Sequence, residues 1–152
     1  MIRNRDQLPS SPAHEVALDC LAAGIEAADP ARLTRRAVSL ADGALTVDDA
    51  GDDLADYGAV IVLGGGKAAA VVAAELEAIL GDALDGGLVI TDSPDASPVP
   101  TQRVEVLASD HPIPSERGVG STRRLLNTAE AADESTLILG VITGGGSALM
   151  AA

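Results

Sequence analysis

The chain has 152 residues, 47% of them hydrophobic, and a formal net charge of −13. That length suits one domain, and a mean hydropathy of +0.24 belongs to a chain that folds around a core rather than to a disordered one. So large an acid excess excludes a nucleic-acid-binding surface, which needs clustered Lys and Arg. It matches the composition of proteins from salt-in halophiles, where a Debye length of about 3 Å at 1 M salt screens self-repulsion.

Residues 1–11 read as a disordered or extended start, and Met1 to Gln7 lacks the apolar stretch of a signal peptide. Pro12 to Ala28 then carries Val16, Leu18, Leu21, Ala22 and Ile25 at helical spacing. Cys20 falls among them. A lone cysteine excludes an internal disulfide and fits a reducing compartment, and its apolar neighbours predict a buried small hydrophobe. His14 reads as a solvated or capping residue at the start of this helix. Asp29-Pro30 closes it and opens a short basic helix with Arg32, Arg35 and Arg36.

The period then changes. Val38–Ala41 and Ala44–Val47 flank Asp42-Gly43, the dipeptide of a two-residue hairpin. Asp48 to Asp56 is a solvated acidic run. Ala59 to Leu63 is continuously apolar, as expected of a strand buried on both faces in a parallel sheet. Ala68–Leu80 is a helix, Gly87–Thr91 and Arg103–Leu107 are strands, Ser115–Glu130 is a helix and Thr136–Thr143 is another buried strand. Arg123-Arg124 marks an exposed helix face. Strands alternating with helices predict an α/β fold: a Rossmann-like, doubly wound, mainly parallel sheet, with the small β-hairpin near the N-terminus. With no Phe or Trp and a single Tyr57, its core is built from Val, Leu, Ile and Ala. No apolar run reaches membrane-spanning length, because Gly64 to Lys67 interrupts the longest one. The expectation is a soluble, cytoplasmic protein with neither a membrane nor a nucleic-acid partner, and with a homo-oligomer left open.

The chemistry gathers at two glycine turns. Lys67 is the only lysine of the chain, and it follows Gly64-Gly65-Gly66 between a strand and a helix. A lysine at a helix N-terminus opposes the helix dipole unless an anion joins it, and glycine N–H groups can surround such an anion. Gly144-Gly145-Gly146-Ser147 repeats the pattern after the last strand. In a parallel sheet both turns lie at the carboxyl edge, where ligands bind at the point of strand-order reversal, and Ser147 adds a hydroxyl. His111, in Asp110-His111-Pro112-Ile113-Pro114, is either loop packing or a site residue. A triple glycine by itself is also what a tight strand-to-helix corner requires.

Two phosphate motifs are tested against Lys67. A Walker A loop fails, since Ile61 stands at its first glycine and Ala68 at its hydroxyl position. A dinucleotide fingerprint is satisfied by Gly64, Gly66 and Ala69, with Asp92 near the place of a ribose-binding acid. It leaves an NAD(P)-dependent oxidoreductase open.

Val62-Leu63-Gly64-Gly65-Gly66-Lys67-Ala68-Ala69, Asp110-His111-Pro112-Ile113-Pro114-Ser115-Glu116 and Thr143-Gly144-Gly145-Gly146-Ser147-Ala148-Leu149 together resemble the amino-terminal domain of the glycerate 2-kinase family that carries a carboxy-terminal MOFRL domain. The resemblance covers residues 12–152, the amino-terminal part of that α/β domain without the MOFRL domain. It implies transfer of the γ-phosphoryl group of ATP to the 2-hydroxyl of D-glycerate, with Mg²⁺, in a cleft between two domains. Lys67 falls at the family's catalytic lysine, Gly64, Gly65, Gly66, Gly144, Gly145, Gly146 and Ser147 at phosphate-binding turns, and His111 and Ser115 in a site loop. No metal ligand is identified in the chain. Ser115 stands where the family often has Asp. Members extend well beyond this length, so the resemblance also implies a fragment or truncated product, inactive alone. Members are often labelled hydroxypyruvate reductases, which keeps the oxidoreductase reading, and a non-catalytic remnant is a third.

Overall fold

The computed structural model of the chain describes residues 2, 4–8, 11–97 and 99–152. Part of the start expected to be disordered or extended, at 1, 3, 9 and 10, lies outside them. Within that start, Arg5–Gln7 forms one 3₁₀ turn, and Arg5 pairs with Glu15 at 2.6 Å and Asp19 at 2.8 Å.

Helix α1 (Pro12–Ala27) begins at an N-cap, where the Ser11 hydroxyl accepts the His14 N–H, with Pro12 at the first position. Helix α2 (Pro30–Ala37) is capped in the same way by Asp29, which accepts the Arg32 N–H at 2.9 Å. Strands β1 (Val38–Ala41) and β2 (Ala44–Val47) form the expected hairpin. Its turn places Asp42 at φ 52° and Gly43 at φ 84°, the left-handed pair that a tight hairpin demands. The acidic run is more ordered than its composition suggests. Ala50–Asp53 pairs antiparallel with β2 as β3, exposed along its length, so the run is solvated and yet forms the edge of a three-stranded sheet.

The main sheet comprises β4 (Ala59–Gly65), β5 (Gly86–Thr91), β6 (Val104–Ala108) and β7 (Thr136–Ile142), all parallel, in the order β6-β5-β4-β7. Helix α3 (Ala69–Leu80) links β4 to β5, and α4 (Glu116–Ala131) carries the chain back across to β7. Alternation on the strands divides the core in two. Val60, Val62, Val89, Val104 and Val141 pack with Ala69, Ala73, Leu76 and Leu80 of α3. On the opposite face, Leu63, Leu88 and Ile90 pack with Leu125 and Ala129 of α4 and with Leu149 of the four-residue α5 (Gly146–Leu149). Helices on both faces make the sheet doubly wound, as expected. The run Ala59–Leu63 is apolar throughout because each of its faces has its own helix.

Helix α1 departs from expectation. None of its residues is buried: Val16 is 63% exposed, Leu21 60% and Ile25 56%, and Cys20 is exposed rather than packed inside. The physical reason is one of layers. Helices α2 and α3 and the hairpin pack with one another, whereas no residue of α1 belongs to either core cluster. Apolar spacing predicted the helix but not its partner.

Candidate active site

The order β6-β5-β4-β7 reverses between β4 and β7, because the chain leaves β4 toward β5 on one side and returns through α4 to β7 on the other. The crevice at this switch point, at the carboxyl ends of the two strands, is the position where open parallel sheets hold ligands. Both glycine turns meet there.

They meet by backbone contact. Lys67 N–H donates to the Gly144 carbonyl at 2.9 Å, and Thr143 N–H to the Gly65 carbonyl at 3.1 Å. The Thr143 hydroxyl accepts the Ala68 N–H at 3.2 Å. Gly66 N–H donates to Ile90, and Ala69 N–H to Gly66. The amides of residues 66–69 are therefore spent within the protein, and the first turn is not the open amide cradle that its sequence suggested. Its glycines serve close approach instead. A Cβ on Gly64 would lie 1.9 Å from the Val141 carbonyl oxygen, and one on Gly66 would lie 2.0 Å from the Thr143 hydroxyl. Both residues also hold left-handed φ values, +152° and +136°.

The second turn is open. No protein acceptor takes the N–H groups of Gly144, Gly145 or Ser147 among the described residues. Gly144 and Ser147 are exposed. With Ile142 and Met150, the turn lines a hollow of about 440 Å³. Lys67 is exposed beside it and has no carboxylate within ion-pair distance among the described residues.

The loop after β6 completes the crevice. A Cβ built on Gly145 would lie 3.3 Å from Lys67 Cγ, 3.2 Å from His111 Cδ2 and 3.4 Å from His111 Nε2. The lysine stem and the imidazole thus flank one residue of the second turn. Lys67, His111 and Gly145, from three separated stretches of sequence, come together. Ser115 does not join them by its hydroxyl. It caps α4, accepting the Gly118 N–H at 3.3 Å and donating to Asp110 Oδ2 at 2.5 Å. Since Ser and Asp are both good N-caps, the departure from the family's Asp preserves the cap.

Two residues around the crevice escaped the sequence reading. Asp110 receives the Ser115 hydroxyl and the Arg117 guanidinium, the latter at 2.6 Å, and together they hold its carboxyl below the ordinary carboxylate value. The signal was an acid and a base bracketing His111-Pro112-Ile113-Pro114, but a salt bridge at this spacing depends on the path of the loop. Thr143 was also passed over as a site residue, although its hydroxyl ties the two turns.

These donors suit an anion with several oxygens: one ammonium, one imidazole, one hydroxyl at Ser147 and unspent amides. Among the described residues no group of three or more His, Cys, Asp and Glu side chains is arranged to hold a metal ion, and the Asp110 carboxylate is already engaged. The dinucleotide reading also loses its physical basis, because a pyrophosphate needs free amides in the first turn and those of Gly66, Lys67 and Ala68 are occupied. A separate apolar groove of about 430 Å³ runs between α2, the hairpin and β7 and presents no charged side chain.

Fold and site thus define a doubly wound α/β protein with an anion-type crevice at its switch point. The chain belongs to the family described as a domain of unknown function, DUF4147, whose model matches residues 16–152. It is 32% identical over 135 residues to a protein of Pyrococcus horikoshii named glycerate 2-kinase, covering 89% of this chain and 29% of that one. It is 33% identical over 93 residues to a protein of Agrobacterium vitis provisionally named hydroxypyruvate reductase, covering 61% of this chain and 21% of that one. Its fold matches the crystal structure of a glycerate kinase from Thermotoga maritima with a TM-score of 0.67 and 26% identity, over 89% of this chain and 29% of that one. The chain therefore spans less than a third of the length of these relatives. No helix among the described residues is long and apolar enough to cross a membrane.

Proposed function

We propose that this chain forms one wall of the cleft of an ATP-dependent glycerate 2-kinase, with Lys67 as its catalytic cation and the open turn Thr143–Ser147 as its phosphate seat. The observation that carries the reading is the convergence of Lys67, His111 and Gly145 at the switch point. The kinase relative aligned over 89% of the chain supports D-glycerate and ATP as the substrates.

In this reaction the 2-hydroxyl oxygen of D-glycerate bonds to the γ-phosphorus, the bond from that phosphorus to the β-bridging oxygen breaks, and the hydroxyl proton passes to solvent. ADP leaves with the electron pair of the broken bond. Catalysis of phosphoryl transfer is mostly positioning and charge stabilisation. Lys67 suits that task, because a compact ammonium with rotatable donors can follow a moving phosphoryl group. The amides of Gly144, Gly145 and Ser147 and the Ser147 hydroxyl offer fixed donors beside it. Mg²⁺, if it arrived bound to ATP, would supply further charge neutralisation beside these donors.

The test is glycerate-dependent ADP release by the longest polypeptide that carries this sequence, compared with its Lys67→Ala variant. Loss of one transition-state donor lowers turnover by about a hundredfold or more. Near-normal release would sink the assignment. The oxidoreductase reading is checked by titration with NADH, and saturable binding with no response to ATP would reverse the ranking. The lone cysteine and the acid excess support a reducing, cytoplasmic setting of high ionic strength.

A further inference from the structure

We propose that Asp110 is a positioning residue of this site, acting through His111, and that Arg117 is the group that makes it effective. The inference rests on the proposed anion site and goes beyond it, since neither residue lines the crevice.

The loop from β6 to α4 must place an imidazole against the second turn, and its own sequence offers little to hold it. Residues 112–114 are exposed, with Ile113 at 76%. The His111 ring nitrogens have no hydrogen-bond partner among the described residues, so no local bond orients the ring. What fixes the loop is the residue immediately before it. Asp110 Oδ2 accepts the Ser115 hydroxyl at 2.5 Å, and Oδ1 accepts from Arg117 at 2.6 Å. The same Arg117 nitrogen reaches the Ser109 carbonyl at 3.4 Å. Both carboxylate oxygens are thus tied to the beginning of α4, one through the residue that caps the helix. The loop becomes a closed ring, with Asp110 at one end, Ser115 at the other and His111 projecting from it toward Gly145.

Both side chains of the pair are solvent-accessible, and what sets it apart is the anchoring of the backbone beside it. The adjoining backbone cannot slide, because Ser109 N–H donates to the Thr91 carbonyl at 2.8 Å and Gly118 packs directly on the Ser109 side chain. The position of Asp110 is therefore set by the sheet and that of Arg117 by the helix. A bond between two fixed points transmits position to the single residue that follows it, His111. Charge-assisted bonds are the kind that can do so against solvent.

Inorganic phosphate is the probe, its affinity measured by calorimetry and by the ring-proton NMR signals of His111. Asp110→Asn and Arg117→Ala should each weaken phosphate binding by about threefold to tenfold, the equivalent of one lost hydrogen bond, while Arg117→Lys recovers part of the loss. Circular dichroism and melting temperature report whether each variant folds, and either variant suffices if the other does not. The decisive arm is the His111→Ala background, in which Asp110→Asn should cost nothing further. An equal loss with and without the imidazole would show a general structural effect and overturn the proposal, as would no loss at all. Lys67→Ala separates the two readings. If it leaves phosphate affinity unchanged, the anion site itself fails. If it abolishes binding while Asp110→Asn does nothing, the site stands and only the positioning role falls.

Discussion

The two glycine turns are nearly identical as sequence and opposite as structure. Gly64-Gly65-Gly66 ends a strand flanked by β5 and β7, and its following amides are consumed by neighbouring backbone and by Thr143. Gly144-Gly145-Gly146 follows β7, the last strand of the described sheet; Gly144 meets nothing within 4 Å, and the N–H groups of Gly144 and Gly145 have no protein acceptor among the described residues. The difference lies in sheet position rather than composition. A glycine turn on an inner strand is pressed by its neighbours and uses its freedom to let them approach. One on an edge strand has room for a ligand. Lys67 belongs by sequence to the closed turn and by its side chain to the open one.

Alanine substitution should separate the turns most sharply. Gly64→Ala places a Cβ against the Val141 oxygen, and Gly66→Ala places one against Thr143, both at left-handed φ. Each should destabilise by more than about 4 kcal/mol or prevent folding, as measured by urea denaturation. Gly144→Ala meets nothing within 4 Å and should stay within about 0.5 kcal/mol of the parent. Equal losses at Gly64 and Gly144 would break the distinction.

Lys67→Ala comes next and acts on binding rather than folding. Lys67 is exposed and its ammonium makes no hydrogen bond among the described residues, so the melting temperature should hold while phosphate affinity falls about tenfold, the worth of a charged hydrogen bond. A fall in stability without a change in affinity would make Lys67 a structural residue of the first turn.

The sequence disclosed most of the frame because the frame follows local rules. Asp42-Gly43 specifies a hairpin through its dihedral angles, and the Ala59–Leu63 run specifies a strand covered on both faces. Strand β3 was hidden because Ala50-Gly51-Asp52-Asp53 has no β-branched or aromatic residue and owes its conformation to the ladder with β2. Burial of α1 was misjudged because spacing reports a helix face and not what lies against it. At the site, residue types showed that an anion was expected, but which turn had free amides depended on strand order. Asp110 was invisible for a related reason, since its two bonds exist only once the loop has turned back to α4.

Ser115 offers a smaller and more pointed test. Ser115→Ala removes the cap of α4 and the bond to Asp110, and should cost about 1 kcal/mol. Ser115→Asp restores the residue type that often follows His-Pro-x-Pro in the family and keeps the cap. In this chain, however, it sets a second carboxylate against Asp110 in place of a donor. It should therefore be less stable than the parent near neutral pH and recover relative to it as acid neutralises the pair. A variant as stable as the parent at neutral pH would mean that the Asp110 bond contributes nothing to the fold.

The weakest effect should be the acid response of the loop itself. The Ser115 hydroxyl and the Arg117 guanidinium lower the Asp110 carboxyl from its ordinary value of 3.8. A group depressed in the folded state stabilises it above the ordinary value, and that contribution disappears as pH falls through the lowered one. Asp133 is lowered as well, by the Ser135 hydroxyl and N–H and by the Thr136 hydroxyl, in the turn that leads to β7. Acid should thus loosen the loop that carries His111 and, at the opposite edge of the sheet, the turn that opens β7, while leaving the closed glycine turn untouched, since its bonds involve no titrating group. Denaturation of the parent and of Asp110→Asn between about pH 5 and pH 2 isolates the loop. Their difference in stability should shrink toward the acid end, and a gap independent of pH would detach the Asp110 charge from the architecture of the site.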